Sequence, residues 1–446
     1  MKTQERHRID LEAIEGDGTS RLQAALDRAR TGPVHVCLGA GRHRLKGVRL
    51  WSDTLLELGA GAVLAFQPDY EAYSGTTVNV EAEQSDRAMI VASEAARITI
   101  CGEGRIECSG AGHFSTGEDE RMGTRIPAQF RPRVLVFDKC NEVTLRGISV
   151  HDSPMWTLHL VDCIDVTISG ARVENDRRMP NTDGLVLDGC ENVTVTACEI
   201  RTADDGIVLK TSARAGGGTT RDCRNIRISD CVVESRSCAL KIGTESHADF
   251  ADISFEDCVV EASNRALGIF SRDGGSISRV RFARIRLDCF ETPDGFWGSG
   301  EPLTITALDR RPGIRPAGAV SDIEVRDITG RAPGAINLWA ERAGLVSGVT
   351  LDGIVLKQNA GEFGTALQYD LRPTPADLDP APEAAGRANA WRLGADGKVM
   401  GLVPYPDGLP GLFARGVRDL NCGSVRIDRP DPLPEGWAPD VSCMCE

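Results

Sequence analysis

The sequence has no long apolar run and no excess of positive charge. No stretch of 18 apolar residues occurs in the 446-residue chain, so no membrane-spanning helix is predicted. Lys and Arg number 51 against 65 Asp and Glu, for a net charge of -14. A general nucleic-acid binder needs a basic surface, which this balance argues against. We therefore expect neither a membrane nor a nucleic acid as a partner.

Paired cysteine motifs are also missing, although the chain holds 15 cysteines. No Cys-x-x-Cys pair is present, and the one close pair, Cys443 and Cys445, lies at the extreme C-terminus. An odd total leaves at least one cysteine unpaired. We expect reduced, buried cysteines that pack as small apolar side chains, and no metal site.

What the sequence does contain is an internal repeat. Four versions of one unit begin with cysteine, at steps of 23, 27 and 33 residues, and are Cys140–Leu145, Cys163–Ile168, Cys190–Val195 and Cys223–Ile228. Each unit holds short alternating β-branched runs separated by Gly, Asn and Asp, a pattern of strands and turns. Self-similarity at this period indicates a solenoid. We predict an all-β, right-handed parallel β-helix with cysteine and asparagine ladders inside the coil.

The repeats suggest one domain over residues 1–446. We predict an N-terminal cap at 1–33 with a short helix from Leu22 to Ala29, main coils at 34–358, an irregular region at 359–410, and last strands with a tail at 411–446. The cap would cover the apolar end of the coil. Two stretches that break the rhythm, 109–133 and 290–316, are expected to wall a groove.

Three aspartates stand out at corresponding positions of two neighbouring repeats. Asp183 lies in Asn181-Thr182-Asp183-Gly184, and the pair Asp204 and Asp205 lies in Ala203-Asp204-Asp205-Gly206. Each motif precedes a three-residue apolar run, so stacking these runs about 4.8 Å apart crowds three carboxyls together. Like charges at that distance raise one another's pKa, which suits acid/base chemistry. The alternative is that these aspartates only form turns.

These motifs resemble those of glycoside hydrolase family 28, the polygalacturonase family. The resemblance extends over nearly the whole chain and includes Arg131–Val134, Ser153–His159, Gly243–Ser246 and Leu409–Arg415. It implies inverting hydrolysis of a pectin-like or other uronate-containing oligosaccharide. Asp204 matches the general acid, and Asp183 and Asp205 match the carboxylates that activate water. It implies no cofactor. An inverting pair also needs a gap of about 6.5–9.5 Å for water, which we expect neighbouring turns to supply.

The chain departs from the family pattern where the family grips its substrate. The family's Gly-His-Gly is replaced by Ser237–Gly243, with Cys238 near the place of the histidine. The family's Arg-Ile-Lys, which holds the uronate carboxylate, aligns with Ala266-Leu267-Gly268. Nearby Arg265 and Arg272 could hold an acid instead.

Eight residues near the aspartates are candidate substrate contacts. Cationic side chains suit a carboxylated sugar through charge-assisted hydrogen bonds, although they could instead only neutralise the aspartates. An aromatic ring can stack on a sugar and a histidine can bind a hydroxyl, although both could be buried packing residues. The candidates are Asn181, Trp156, His159, Lys210, Lys241, Glu245, Arg265 and Arg272.

Two other functions stay open. A polysaccharide lyase or epimerase could use Lys210 or Lys241 as its base, and a β-helix without turnover could simply bind carbohydrate.

Because the start of the chain has no apolar stretch, we expect a cytoplasmic protein that acts on small imported oligosaccharides from their ends. A trimmed secreted or periplasmic protein would look the same. The sequence does not indicate an oligomeric state.

Overall fold

The computed structural model describes residues 6–80, 83, 85–128, 130–378 and 391–445. Short parallel strands dominate these residues and stack in three rows, with one strand per row in most turns of the chain. Each strand pairs with the strand one turn earlier and one turn later. This is the right-handed parallel β-helix that the repeats predicted.

The first and second rows form one continuous sheet of 22 strands, because three 13-residue strands run through both rows. The strands of the first row are His7–Leu11, Val34–Leu38, Thr54–Leu58, Ala96–Gly102, Asn141–Arg146, Ile164–Ser169, Glu191–Thr196, Cys223–Ser229, Phe250–Glu256 and Val417–Cys422. Those of the second row are Gly41–Leu45, Ala62–Phe66, Arg105–Glu107, Ser149–His151, Arg172–Glu174, Glu199–Thr202, Val232–Ser235, Val259–Ser263 and Val425–Asp428. The strands shared by both rows are Ile277–Cys289, Val320–Ala332 and Val346–Gln358.

The third row is a separate sheet of 12 strands and bears the candidate site. Its strands are Val48–Arg49, Ala88–Ser93, Arg133–Asp138, Leu158–Val161, Leu185–Asp188, Ile207–Thr211, Cys238–Ser246, Arg265–Ser271, Leu303–Ala307, Ile336–Ala340, Leu412–Arg415 and Ser442–Cys445. Two antiparallel strand pairs of the described residues lie outside the rows and are Phe114–Asp119 with Thr124–Pro127, and Gln368–Asp370 with Leu402–Pro404. Short 3-10 turns occur at Arg28–Arg30, Tyr70–Tyr73, Gly110–His113, Thr365–Leu367 and Pro375–Leu378.

Alternating side chains of each strand point into the coil and stack on their equivalents in the next turn. Val143, Val166, Val193 and Ile226 are one such stack, and all are buried. The inward side chains of all three rows merge into one continuous apolar core. Removing this apolar surface from water is the main favourable contribution to folding.

The cysteines follow the predicted ladder, but the asparagines do not. Cys140, Cys163, Cys190 and Cys223 occupy equivalent buried positions, and all 15 cysteines are free thiols. The predicted inner asparagine ladder is wrong. Asn192 and Asn225 are exposed with φ of 56° and 53°, and the Asn225 amide donates to Asn192 Oδ1 at 3.2 Å on the outer surface. Asparagine adopts this left-handed conformation more readily than most residues, which suits it to this position near the start of each strand.

The N-terminal end of the coil is covered by the one α-helix among the described residues, Thr19–Asp27. Its Leu22, Ala25 and Leu26 are buried in the main core, as a cap requires. The strand His7–Leu11 precedes this helix and already pairs with Val34–Leu38, so coil structure begins within the region predicted as cap. Within the described ranges, no helix is long and apolar enough to cross a membrane.

The region 359–410 is irregular where the structure describes it. It contributes the antiparallel pair of Gln368–Asp370 and Leu402–Pro404 and two 3-10 turns. Residues 379–390 of this predicted region, residues 1–5 of the predicted cap and residue 446 of the predicted tail lie outside the described residues. The division of the chain into one domain with these parts stays a prediction.

Candidate active site

The two aspartate motifs stack in the register predicted from the sequence. Leu185 pairs with Ile207, and the Gly184 N–H donates to the Asp205 carbonyl oxygen at 2.9 Å. Both motifs lie in the turn that leads from the second row into the third. One carboxylate oxygen from each of Asp183, Asp204 and Asp205 lies within 4.8 Å of the other two.

Glycine at positions 184 and 206 allows the turns to approach this closely. A Cβ at Gly184 would lie 2.3 Å from Ile200 Cγ2 and 2.7 Å from the Gly206 carbonyl oxygen. A Cβ at Gly206 would lie 2.3 Å from Val233 Cγ1. Real Cβ atoms do not come this close to other atoms, so any side chain here would push the aspartates apart.

Hydrogen bonds hold two of the three carboxyls, those of Asp204 and Asp205. Asp204 accepts the Asn181 N–H at 3.1 Å and the Asp205 N–H at 2.9 Å, and Asp205 accepts the Ser237 hydroxyl at 2.9 Å. All three are at least 93% buried, with Asp204 the most exposed at 7%. The Asn181 side chain is engaged elsewhere, because its oxygen accepts from Arg131 at 2.7 Å.

Burial and mutual repulsion shift the proton affinity of two of these carboxyls. Burial, followed by the charge of Asp205, raises the pKa of Asp204 to about 7. Burial and the charge of Asp204 raise the pKa of Asp183 well above its ordinary value. The cluster therefore retains a proton near neutral pH, which is the condition for a general acid.

Two lysines approach the carboxyls from the neighbouring strands. Lys241 Nζ lies 2.6 Å from Asp205 Oδ2. Lys210 Nζ lies 2.8 Å from Glu245 Oε2, 3.7 Å from Asp183 Oδ2 and 3.9 Å from Asp205 Oδ2. Both lysines therefore neutralise protein carboxylates directly.

Glu245 is in turn held by a buried arginine. Arg310 Nη1 lies 3.4 Å from Glu245 Oε1, and the rest of the Arg310 guanidinium binds Asp273. Burial alone would raise the pKa of Glu245, but the charges of Lys210 and Arg310 lower it well below its ordinary value. Glu245 is thus a fixed anion behind Lys210, and sequence reasoning missed Arg310.

The carboxyls lie in a cavity with about 520 Å³ of empty space, including the open solvent at its mouth. Its described lining residues are Glu83, Trp156, Asn181, Asp183, Asp204, Asp205, Lys210, Lys241, Thr244, Glu245, Arg265, Phe270, Trp297, Arg372 and Pro373. Nine of the eleven residues predicted for the site are thus brought together.

The other two predicted site residues, His159 and Arg272, do not line the cavity. His159 is fully buried, with Nε2 3.3 Å from Asp188 Oδ2 and its ring against the edge of Trp156. Burial lowers the pKa of His159 to about 4, so it is a neutral core residue and not a sugar contact. Arg272 is also fully buried and donates to the backbone carbonyls of Pro373, Thr306 and Leu371. Its guanidinium ties the segment 371–373 to the strand Leu303–Ala307 and is not part of the cavity lining.

Part of the cavity wall comes from segments that carry no motif. The segment 290–316 contributes Trp297 as predicted, but no described lining residue comes from 109–133. That segment instead supports the wall from behind, since Met122 packs against Phe296 and Arg121 lies 2.8 Å from Asp294. Sequence reasoning missed Glu83, Thr244, Phe270, Arg372 and Pro373 as lining residues. Only Thr244 lay in a motif that had been singled out.

Three clustered carboxylates could geometrically hold a cation. In this site the ammonium groups of Lys210 and Lys241 already lie against them. The positive charge that a metal would bring is thus supplied by the chain itself. The absence of a metal requirement stays a prediction.

Comparison with known proteins places these features in context. The family model for glycosyl hydrolases family 28 matches residues 69–368, more than half of the chain. A probable polygalacturonase of Arabidopsis thaliana is 35% identical over 112 residues, covering 25% of this chain and 22% of that protein. A polygalacturonase of Gossypium hirsutum is 22% identical over 291 residues, covering 60% of this chain and 63% of that protein.

The chain thus aligns with less than two thirds of the length of these relatives. Among solved structures, the family 28 exopolygalacturonase of Yersinia enterocolitica superposes with a TM-score of 0.64 at 15% identity. The superposition covers 98% of this chain and 79% of that one. At this identity, the likeness shows a shared fold.

Proposed function

The chain belongs to glycosyl hydrolases family 28, and from this membership we propose that it hydrolyses a glycosidic bond in a pectin-like oligosaccharide. The observation that carries the proposal is the meeting of Asp183, Asp204 and Asp205 at one cavity. Buried like charges cost folding free energy, so their presence favours a chemical use.

In the proposed reaction, Asp204 protonates the leaving glycosidic oxygen. Its pKa of about 7 lets it hold that proton near neutral pH and still release it. Asp183 and Asp205 hold a water molecule and accept its proton as it attacks the anomeric carbon. Lys241 and Ser237 fix the orientation of Asp205 for this role.

Inversion at the anomeric carbon is part of the proposal and rests on the family resemblance. The expected gap of about 6.5–9.5 Å between acid and base is not met by the nearest oxygens, which lie within 4.8 Å of one another. Nuclear magnetic resonance of the first product anomer tests this directly. Net retention would require one aspartate to act as a nucleophile.

We also propose action at chain ends on an acidic oligosaccharide. Glu83, Trp297 and Pro373 close around the aspartates from segments outside the regular coil, which favours a pocket over an open groove. An exopolygalacturonase of Zea mays is among the relatives, at 24% identity over 287 residues. Release of single sugar units from the earliest time points would support this mode, and a spread of oligomer lengths would contradict it.

The assignment of Asp204 as acid is tested with leaving groups of different quality. A 4-nitrophenolate departs without protonation, whereas a sugar alkoxide does not. Asp204→Asn should therefore lower kcat at least about 10²-fold on an oligosaccharide but much less on the 4-nitrophenyl glycoside of the released sugar. Asp205→Asn should impair both substrates. Asp230→Asn, on the exposed outer surface, is the matched control.

The same substrates separate the competing assignments. If Asp183→Asn showed the leaving-group dependence and Asp204→Asn did not, Asp183 would be the acid. An ultraviolet absorbance from a new double bond in the product would indicate a lyase. Binding without turnover in the unmodified protein would indicate a carbohydrate-binding β-helix.

A further inference from the structure

The lysines of the cavity have their charges matched by protein carboxylates. Lys241 lies against Asp205, and Lys210 is 2.8 Å from Glu245 with Asp183 and Asp205 within 4 Å. A substrate carboxylate would have to compete with these fixed anions at hydrogen-bond distance. The lysines thus serve the acidic cluster and offer no surplus positive charge to a ligand.

The two arginines that line the cavity are matched in the same way. Arg265 Nε lies 3.3 Å from Glu301 Oε2, and Arg265 Nη2 lies 2.7 Å from Asp370 Oδ2. Arg372 donates to Asp370 at 2.9 Å and to the Asp294 backbone carbonyl at 2.8 Å. Both guanidinium groups are therefore anchored by acids behind the cavity wall.

The positions that align with the family's uronate-gripping motif hold no charge. Ala266 and Leu267 are fully buried and Gly268 has no side chain. Arg272, the other candidate replacement, is buried against backbone carbonyls. No replacement for the lost grip exists among the described lining residues.

Glu83 adds a further acid to the same cavity. Among the described residues it makes no hydrogen bond and no ion pair. Burial, followed by the negative charge of Glu245, raises its pKa above the ordinary value, against the opposing charges of Lys210, Arg131 and Arg133. The surroundings of Glu83 thus disfavour a negative charge, and a substrate carboxylate placed beside it would meet the same surroundings.

We propose that the sugar unit seated over the aspartates is uncharged, and that Glu83 together with the matched lysines and arginines excludes a uronate there. This inference rests on the proposed function of the site. It narrows the substrate to a pectin-like oligosaccharide with a neutral sugar at the cleaved position. Uronate units can then lie only outside the cavity.

Carboxyl reduction supplies a matched pair of ligands for the test. It converts each uronate carboxylate to a hydroxymethyl group and leaves the linkage and ring configuration unchanged. Binding of oligouronides and their reduced forms, in galacto and gluco configurations, is measured by calorimetry on Asp204→Asn. Turnover is measured on the unmodified protein. We expect at least one reduced ligand to bind at least about tenfold more tightly than its uronate counterpart.

Substitution of Glu83 tests its part in the exclusion. Glu83→Lys should raise the ratio of uronate to neutral affinity at least about tenfold, and Glu83→Gln should raise it less. Glu103→Lys, on the exposed outer surface, makes the same change in net charge and should leave the ratio within about twofold. Circular dichroism melting verifies that each variant is folded.

The possible results distinguish failure of this inference from failure of the proposed hydrolysis. Tighter binding of the uronate form by the protein, or binding of neither form, overturns the inference. So does an equal response to Glu83→Lys and Glu103→Lys, because the effect would then be one of net charge. Preferential binding of a reduced ligand without any cleavage by the unmodified protein supports the inference and contradicts the proposed hydrolysis.

Discussion

At Asp204, opposing effects act on one carboxyl group. Burial and the charge of Asp205 raise its pKa, while Lys241 and Lys210 lower it, and the result is about 7. The opposite balance holds at Glu245, where the charges of Lys210 and Arg310 outweigh burial and keep the carboxyl ionised. Which protonation state a buried acid takes is thus decided by its neighbours and not by its residue type.

The raised pKa of Asp204 predicts a dependence of stability on pH. Between its ordinary pKa of 3.8 and about 7, the folded state binds more protons than the unfolded state, so stability falls as pH rises. Asp204→Asn removes this loss. We expect the variant to be more stable by roughly 1–4 kcal/mol at about pH 8 and nearly unchanged at about pH 4.

Thermal melting of both proteins across this pH range provides the measurement. Asp230→Asn serves as control, because Asp230 lies on the exposed surface away from the cluster. An equal gain in stability at both pH values would contradict the pKa assigned to Asp204.

At the level of strands, the active-site geometry depends on how closely two turns approach. The stacked strands Leu185–Asp188 and Ile207–Thr211 set the spacing of the aspartates, and Gly184 and Gly206 permit it. The cysteine ladder also links neighbouring turns. Cys163, Cys190 and Cys223 each donate a thiol hydrogen to a backbone carbonyl of the preceding turn.

Gly206→Ala should therefore disturb the site without removing any chemical group. The added methyl meets Val233 and the Ala239 carbonyl oxygen, which we expect to cost about 1–3 kcal/mol. Displacement of Asp205 should lower kcat at least about tenfold, since small misplacements of catalytic groups are costly. Melting curves and kcat provide the measurements.

Gly32→Ala is the matched control, because a Cβ at Gly32 meets nothing within 4 Å. Unchanged kcat in Gly206→Ala would mean that the turn relaxes without moving the aspartates. Loss of activity in both variants would mean that the effect is not local.

At the level of the whole molecule, each described strand of the coil pairs with strands of the neighbouring turns. In such a solenoid each turn is stabilised by packing on its neighbours, so the apolar surface of the two end turns must be covered. The helix Thr19–Asp27 covers the N-terminal end through Leu22 and Leu26. The site lies in later turns, so cap and catalysis are separated along the coil.

Leu26→Ala should destabilise the cap by about 2–5 kcal/mol, because it opens a cavity at a fully buried position. The kcat of the folded protein should stay within about twofold, since none of the cap residues that the structure describes lines the cavity. Melting midpoints and kcat below the transition are measured. Ile14→Ala, at a position 42% exposed, is the control. A large fall in kcat would show long-range coupling along the coil.

The sequence by itself determined the coil and the meeting of the aspartates. Both depend on local periodicity, because each turn is positioned by the turn before it, and equal spacing brings equal positions together. Cys140, Cys163 and Cys190 mark the turns, and Asp183 and Asp205 follow from the same register.

Only the tertiary structure decided which charges and rings face the cavity. Arg272 and His159 lie inside the protein although their positions along the chain suggested otherwise, and the asparagines of the repeat lie outside. Glu83, Trp297 and Arg372 reach the cavity from segments without a repeat. Contacts between distant, non-periodic segments depend on packing in three dimensions. They therefore cannot be predicted from spacing along the chain.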